Sequence, residues 1–193
     1  TKELLDECRK SVHRVDPGLL EKSIYAFDLL GRLAREGLPF TFKGGTALLL
    51  LLDEFRRLSI DVDIACSLPQ QEVKLVVDKV VREGPYLGGV QDLRDPNRLP
   101  RRHHYALTFQ SVVNPRAPAR LLLDVLEDDG HYPETQEVLL QSRFIRPEQD
   151  VRITVPTVEG LLADKLTAFA PTTVGVPYTA YKATIKIAKH ISD

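Results

Sequence analysis

Apolar residues recur at helical spacing in the first part of the chain: Leu4, Leu5, Cys8 and Val12 over residues 1–14, then Leu20, Ile24, Phe27, Leu30 and Leu33 over residues 19–36. Asp16-Pro17-Gly18 separates the two helices, and Gly37 stops the second. The pattern predicts a helical pair packed on one side of a sheet. A short strand over 38–42 follows, then a helix over 47–52 that is apolar on every side and so belongs in the interior. Ile60, Val62 and Ile64 alternate with polar neighbours, as a half-buried strand requires. Val73, Val76, Val77 and Val80 mark the inner side of an amphipathic helix over 69–82. Residues 84–90 form a turn or short strand and 91–102 a polar loop. Strands are predicted at 105–113, 119–127 and 151–155, with a weaker one near 138–140. Thr157 caps a helix that has Glu159 in its first turn and Leu161, Leu162, Leu166 and Phe169 on its core side; a last helix runs over 179–192. The mixture makes this an α+β chain, divided into N-terminal helices (1–37), a core (38–156) and a C-terminal helical region (157–193).

Candidate chemistry concentrates between Lys43 and Ile64. Gly44 and Gly45 let the backbone approach a ligand closely, and a helix starting near Thr46 presents unpaired N–H groups and a positive dipole end to an anion. Asp61 and Asp63, two apart on a strand, face the same side at roughly 7 Å. Like charges so placed destabilise a strand unless something offsets them, and a hard cation such as magnesium, shared with substrate phosphates, would do so. Arg57 and Ser59 stand just before the strand, within reach of a triphosphate, although Arg56 and Arg57 would serve equally as a solvated pair. Asp124 lies within the apolar strand A-R-L-L-L-D-V-L-E, where a carboxylate is costly unless paired, hydrogen-bonded or bound to metal. It is the candidate third metal ligand or general base of a phosphoryl transfer, against the alternative of an edge-strand aspartate turned to water. Arg94, Arg98, Arg101, Arg102, His103 and His104 form a basic loop that would grip a polynucleotide backbone or simply be solvated.

Composition narrows the field. With 43% hydrophobic and 27% charged residues, the chain is an ordinary globular sequence. A net charge of −1 excludes a global basic field, so any nucleic-acid contact is a local patch. Cys8 and Cys66 are too few and too far apart for a zinc site or disulfide framework, and a reducing cytoplasm is expected. The longest apolar run is too short to cross a bilayer. Methionine is absent and the chain ends within a helical pattern, which points to a longer protein.

The order G-G-T, R-x-S (Arg57 to Ser59), D-V-D resembles the nucleotidyltransferase superfamily with the polymerase-beta-like core. F-K-G-G-T-A-L, R-L-S-I-D-V-D-I and A-D-K-L-T-A-F-A-P-T-T-V-G together resemble the AbiEii/AbiGii toxin family of type IV toxin–antitoxin systems, over 42–175. The resemblance implies a mixed sheet flanked by helices. It also implies a catalytic set of Asp61, Asp63, Asp124 and Lys165, with the three aspartates holding Mg2+ or Mn2+, and a nucleotide-binding set of Lys43, Gly44, Gly45, Thr46, Arg57 and Ser59. The implied reaction moves a nucleoside monophosphate from an NTP to a hydroxyl of an RNA such as tRNA, and a cognate antitoxin neutralises the toxin. Lys189 and Asp193 occupy the place of a basic and acidic pair of the family, in a wording, K-H-I-S-D, that departs from it. A D-x-D glycosyltransferase would need a nucleotide-binding α/β unit ahead of the motif, where two helices are predicted. A catalytically silent interaction module is the remaining alternative.

Overall fold

The computed structural model describes residues 3, 5–6, 15–52, 58–92, 101–128, 132–142 and 149–167. Four helices and seven strands lie along them: α1 (Pro17–Arg35), β1 (Thr41–Lys43), α2 (Gly44–Leu51), β2 (Val62–Cys66), α3 (Gln70–Glu83), β3 (Tyr86–Asp92), β4 (Arg102–Gln110), β5 (Pro118–Glu127), β6 (Thr135–Leu139), β7 (Arg152–Pro156) and α4 (Val158–Thr167). Of the helix predicted over 1–14, Glu3, Leu5 and Asp6 are described; they are helical, and Leu5 is buried. The predicted helix over 179–192, with Lys189 and Asp193, lies outside the described residues.

The strands form one mixed sheet in the order β3-β4-β5-β2-β1-β7-β6. Pairing is antiparallel except for β2 with β5 and β1 with β7, which run parallel. Strand alternation gives β5 one buried side, Leu121, Leu123 and Val125, and β4 another, His103, Tyr105, Leu107 and Phe109. Against this side pack the apolar stripes of α1 and α3, including Leu20, Phe27, Leu30, Val73, Val77 and Val80. Tyr25 of α1 stacks on Phe109 at 3.7 Å between ring centroids.

Local chemistry explains the bounds of α1. Asp16 accepts a hydrogen bond from the Leu19 N–H at 2.9 Å, with Pro17 at the first helical position, where its missing N–H costs nothing. At the other end Gly37 adopts φ +75°. The Leu38 N–H then reaches Leu33 O, and the Gly37 N–H reaches Ala34 O, a Schellman closure.

Several sequence expectations shift. The strand predicted over 38–42 runs Thr41–Lys43, and α2 begins at Gly44 itself. The turn or short strand at 84–90 is the seven-residue β3. The strand predicted over 105–113 spans Arg102–Gln110, so His103 and His104 belong to the sheet and not to a loop. Asp61 precedes β2 by one residue and is not part of the strand. In α4, Leu161 is buried as expected, but Leu162 and Leu166 are 55% and 58% exposed; the ten-residue helix turns only one narrow side to the sheet. Among the described residues no helix is long and apolar enough to cross a membrane.

A buried carboxylate ties the loop after β4 to α1. Glu21 accepts hydrogen bonds from Ser111 Oγ and from the Val112 N–H, both at 2.6 Å. Removing it leaves both donors without that partner, so Glu21→Ala is expected to lower stability by about 1–3 kcal/mol. Urea unfolding checks this; an unchanged midpoint would mean that the loop does not depend on the carboxylate.

Candidate active site

The sheet's register builds the site on the side opposite the α1–α3 layer. Parallel pairing of β2 with β5 sets Asp63 beside Asp124. Antiparallel pairing then sets His104 of β4 beside Asp124, and Lys43 of β1 beside Asp63. Cα partners on adjacent strands point to one side of a sheet, so His104, Asp124, Asp63 and Lys43 form a transverse row. Their neighbours along the strands, Val62, Ile64, Leu123 and Val125, fill the opposite, buried side. Asp124 is therefore on a central strand and not on an edge, and its side chain is 41% exposed.

Each member of the row has a partner. His104 Nδ1 lies against Asp124 Oδ1, with the imidazole only 15% exposed. Lys43 Nζ reaches Asp164 Oδ2 of α4 at 3.4 Å. The Tyr132 hydroxyl donates to the same oxygen at 3.0 Å. Burial first, then the negative charges of Asp164 and Asp63, push the Tyr132 phenol well above its ordinary pKa, so it remains a protonated donor. The Lys43–Asp164 contact brings α4, where Thr157 caps the first turn by accepting from the Gly160 N–H at 3.2 Å, to the edge of the row.

The glycine turn is shaped by the aspartate beside it. Gly44 has φ +76°, and a Cβ there would collide with the Asp63 carboxylate. Thr46 is fully buried, its hydroxyl donating to the Asp61 carbonyl at 2.6 Å. This bond anchors the first turn of α2 to the entry of β2. The Thr46 side chain therefore faces protein, leaving its backbone as the part that could meet a phosphate.

Of the site residues expected from sequence, Lys43, Gly44, Gly45, Thr46, Asp61, Asp63 and Asp124 come together around β1, β2 and β5. Ser59 is half-buried in the segment before β2, and Lys165 is half-buried in α4, next after Asp164. Arg57 lies outside the described residues. The basic cluster is divided: Arg101 and His103 both pair with Glu127, at 3.2 and 3.0 Å, His104 serves Asp124, and Arg102 is exposed. Arg94 and Arg98 are outside the described residues. Sequence reasoning placed His104 only in the basic cluster and gave no role to Tyr132 or Asp164. Extending the alternation of Tyr105, Leu107 and Phe109 back to His103 would have put His104 on the Asp124 side; a lone tyrosine such as Tyr132 carries no comparable signal.

Among the described residues no three His, Cys, Asp or Glu side chains converge as a ready-made metal cage. Adjacent hard oxygen donors on Asp63 and Asp124 still suit magnesium, which keeps waters and is commonly held by one or two carboxylates plus substrate phosphates. Two left-handed glycines provide an internal comparison for the turn. Gly37 has nothing within 4 Å of an added Cβ, whereas Gly44 has the Asp63 carboxylate. Gly37→Ala is expected to lower stability by about 1–2 kcal/mol from backbone strain alone. Gly44→Ala should cost clearly more; equal denaturation midpoints would show that the turn does not constrain Asp63.

The nucleotidyl transferase AbiEii toxin family of type IV toxin–antitoxin systems matches residues 28–193. MenT4, a nucleotidyltransferase toxin from Mycobacterium tuberculosis, superposes with a TM-score of 0.55 at 18% identity, over 88% of this chain and 58% of that one. An antigenic nucleotidyltransferase-like protein from Paracoccidioides brasiliensis superposes with a TM-score of 0.53 at 14% identity, over 89% and 75% of the two chains. A nucleotidyltransferase described from H. pylori covers 76% of this chain and 56% of its own, with a TM-score of 0.49 and 20% identity. The chain thus spans less than three fifths of the length of two of these three. No curated protein matches its sequence. At these identities the superpositions on MenT4 and on the Paracoccidioides protein show a nucleotidyltransferase fold. With that fold and a family match over most of its length, the chain belongs to the AbiEii nucleotidyltransferase toxin family.

Proposed function

We propose that this protein is a metal-dependent nucleotidyltransferase toxin that moves a nucleoside monophosphate from an NTP to a hydroxyl of an RNA such as tRNA, in the cytoplasm and under the control of a cognate antitoxin. The observation that carries the reading is the row Lys43–Asp63–Asp124 beside the Gly44 turn, a cation and paired carboxylates at the start of α2. Asp61, Asp63 and Asp124 would hold Mg2+ or Mn2+, which when bound would offset the charge of the triphosphate. Backbone N–H groups at Gly44, Gly45 and Thr46 suit the β and γ phosphates. Lys43 and Lys165, with Arg57 and Ser59, add positive charge and donors for the phosphates, and such electrostatic positioning supplies most of the rate in phosphoryl transfer. Asp124 accepts the proton of the acceptor hydroxyl. The hydroxyl oxygen bonds to the α-phosphorus as the bond to the pyrophosphate oxygen breaks. Arg102 and Arg120, both exposed and both on the carboxylate side by strand parity, suit an RNA backbone.

The test is label transfer from each NTP to total RNA with the full-length protein and Mg2+. Asp63→Asn, which removes a ligand charge at nearly constant shape, is expected to abolish transfer while leaving the denaturation midpoint near wild type or above it. Transfer that survives this substitution would sink the assignment. An unlabelled RNA pool with wild-type protein would favour the silent-module alternative or another acceptor.

A further inference from the structure

We propose that His104 is the positioning residue for Asp124: it holds one carboxylate oxygen so that the other is presented to the metal and the acceptor hydroxyl. The inference rests on the function proposed above and goes beyond it, since neither the motifs nor the family match assigns a role to His104.

Three observations carry it. First, His104 and Asp124 are directly paired residues of β4 and β5, and Asp124 is in turn the registered neighbour of Asp63. The imidazole therefore stands on the outer flank of the aspartate pair, away from Asp63. Second, the contact is specific by atom, Nδ1 on Oδ1, and leaves Oδ2 outside that pair. A carboxylate that ligates a metal is ionised and offers only lone pairs, so in that state Nδ1 would carry the hydrogen and the imidazole would donate. Third, the two side chains differ in exposure: His104 is held within the sheet surface, whereas Asp124 is 41% exposed. A well-packed donor restricts the rotation of a more open acceptor, as hydrogen bonds to ligating carboxylates do in metal sites. His103, one residue earlier, takes the opposite side and pairs with Glu127, so the two histidines do not substitute for one another.

The closing experiment is Mn2+ binding followed by electron paramagnetic resonance, with no acceptor present, on the full-length protein. It compares wild type, Asp63→Asn, His104→Asn and His104→Ala, with His104→Leu in reserve to retain volume should alanine fail to fold. An asparagine amide reaches the place of Nδ1 and keeps an N–H there, so His104→Asn is expected to bind Mn2+ nearly as wild type does. His104→Ala or His104→Leu is expected to weaken Mn2+ binding by about 10- to 100-fold, the effect usual for an outer-shell partner of a metal ligand. The Mn2+ concentration for half-maximal transfer should rise by the same factor, with kcat recovering at saturating metal. A purely structural role would instead lower the denaturation midpoint and leave the Mn2+ affinity of the folded protein unchanged. Equal affinity in wild type and His104→Ala overturns the proposal, and so does an equal loss in His104→Asn and His104→Ala. If Asp63→Asn binds Mn2+ as wild type does, or wild type binds none, the fault lies with the parent reading.

Discussion

Parallel pairing of β2 with β5 forces two carboxylates, Asp63 and Asp124, onto adjacent positions of one sheet surface. Two unit charges at the roughly 5 Å spacing of neighbouring strands repel by about 1–3 kcal/mol for effective dielectrics between water and a protein surface. Much of the local structure offsets that repulsion. His104 pairs with Asp124 on one flank, and Lys43 stands in register with Asp63 on the other. Gly44 gives up its side chain so that the Asp63 carboxylate has room. The result is a concentration of carboxylates at the start of a helix, a setting that suits a cation and a polyanion arriving together.

The row can be held only because the other side of the same strands is unambiguous. Val62, Ile64, Leu123 and Val125 are all but completely buried, in one core cluster with residues of α1 and α3. A slip of one residue would turn this entire set to solvent and bring the carboxylates into the core, so hydrophobic burial specifies the register that aligns the charges. The Glu21–Ser111–Val112 cluster and the Schellman closure at Gly37 stabilise α1, the helix against which that burial occurs. The backbone of the site is tied to the same frame through the buried Thr46 hydroxyl and the Asp61 carbonyl.

Legibility from sequence followed the strength of the periodic signal. The apolar runs of α1, α3 and β5 were plain, because each pairs a regular stripe with a clear cap or turn. The glycine turn and the two aspartates were visible because few other roles demand G-G beside a D-x-D. His104 was hidden by its company: preceded by Arg101, Arg102 and His103, it looked like part of a basic loop, and only the β4–β5 pairing sends Arg101 and His103 to Glu127 and His104 to Asp124. Tyr132 and Asp164 meet from elements 32 residues apart, and no local pattern announces such a contact. Leu162 and Leu166 illustrate the converse error, since an apolar residue at helical spacing is not thereby buried.

The Lys43–Asp164 pair gives the site a further property. At 3.4 Å, with Asp164 45% exposed, it belongs to the class of ion pairs that contribute about 0–1 kcal/mol. Lys43 can therefore leave Asp164 at little cost when a phosphate competes for its ammonium group. Asp164 does not lose all its partners in that exchange, because the Tyr132 hydroxyl, kept protonated by burial and by the neighbouring carboxylates, still donates to it. A lysine held by a weak pair is pre-placed beside Asp63 without being committed, while α4 keeps its link to the site through the tyrosine. In the proposed reaction the pair would orient the cation before an NTP binds and leave its binding energy for the phosphates.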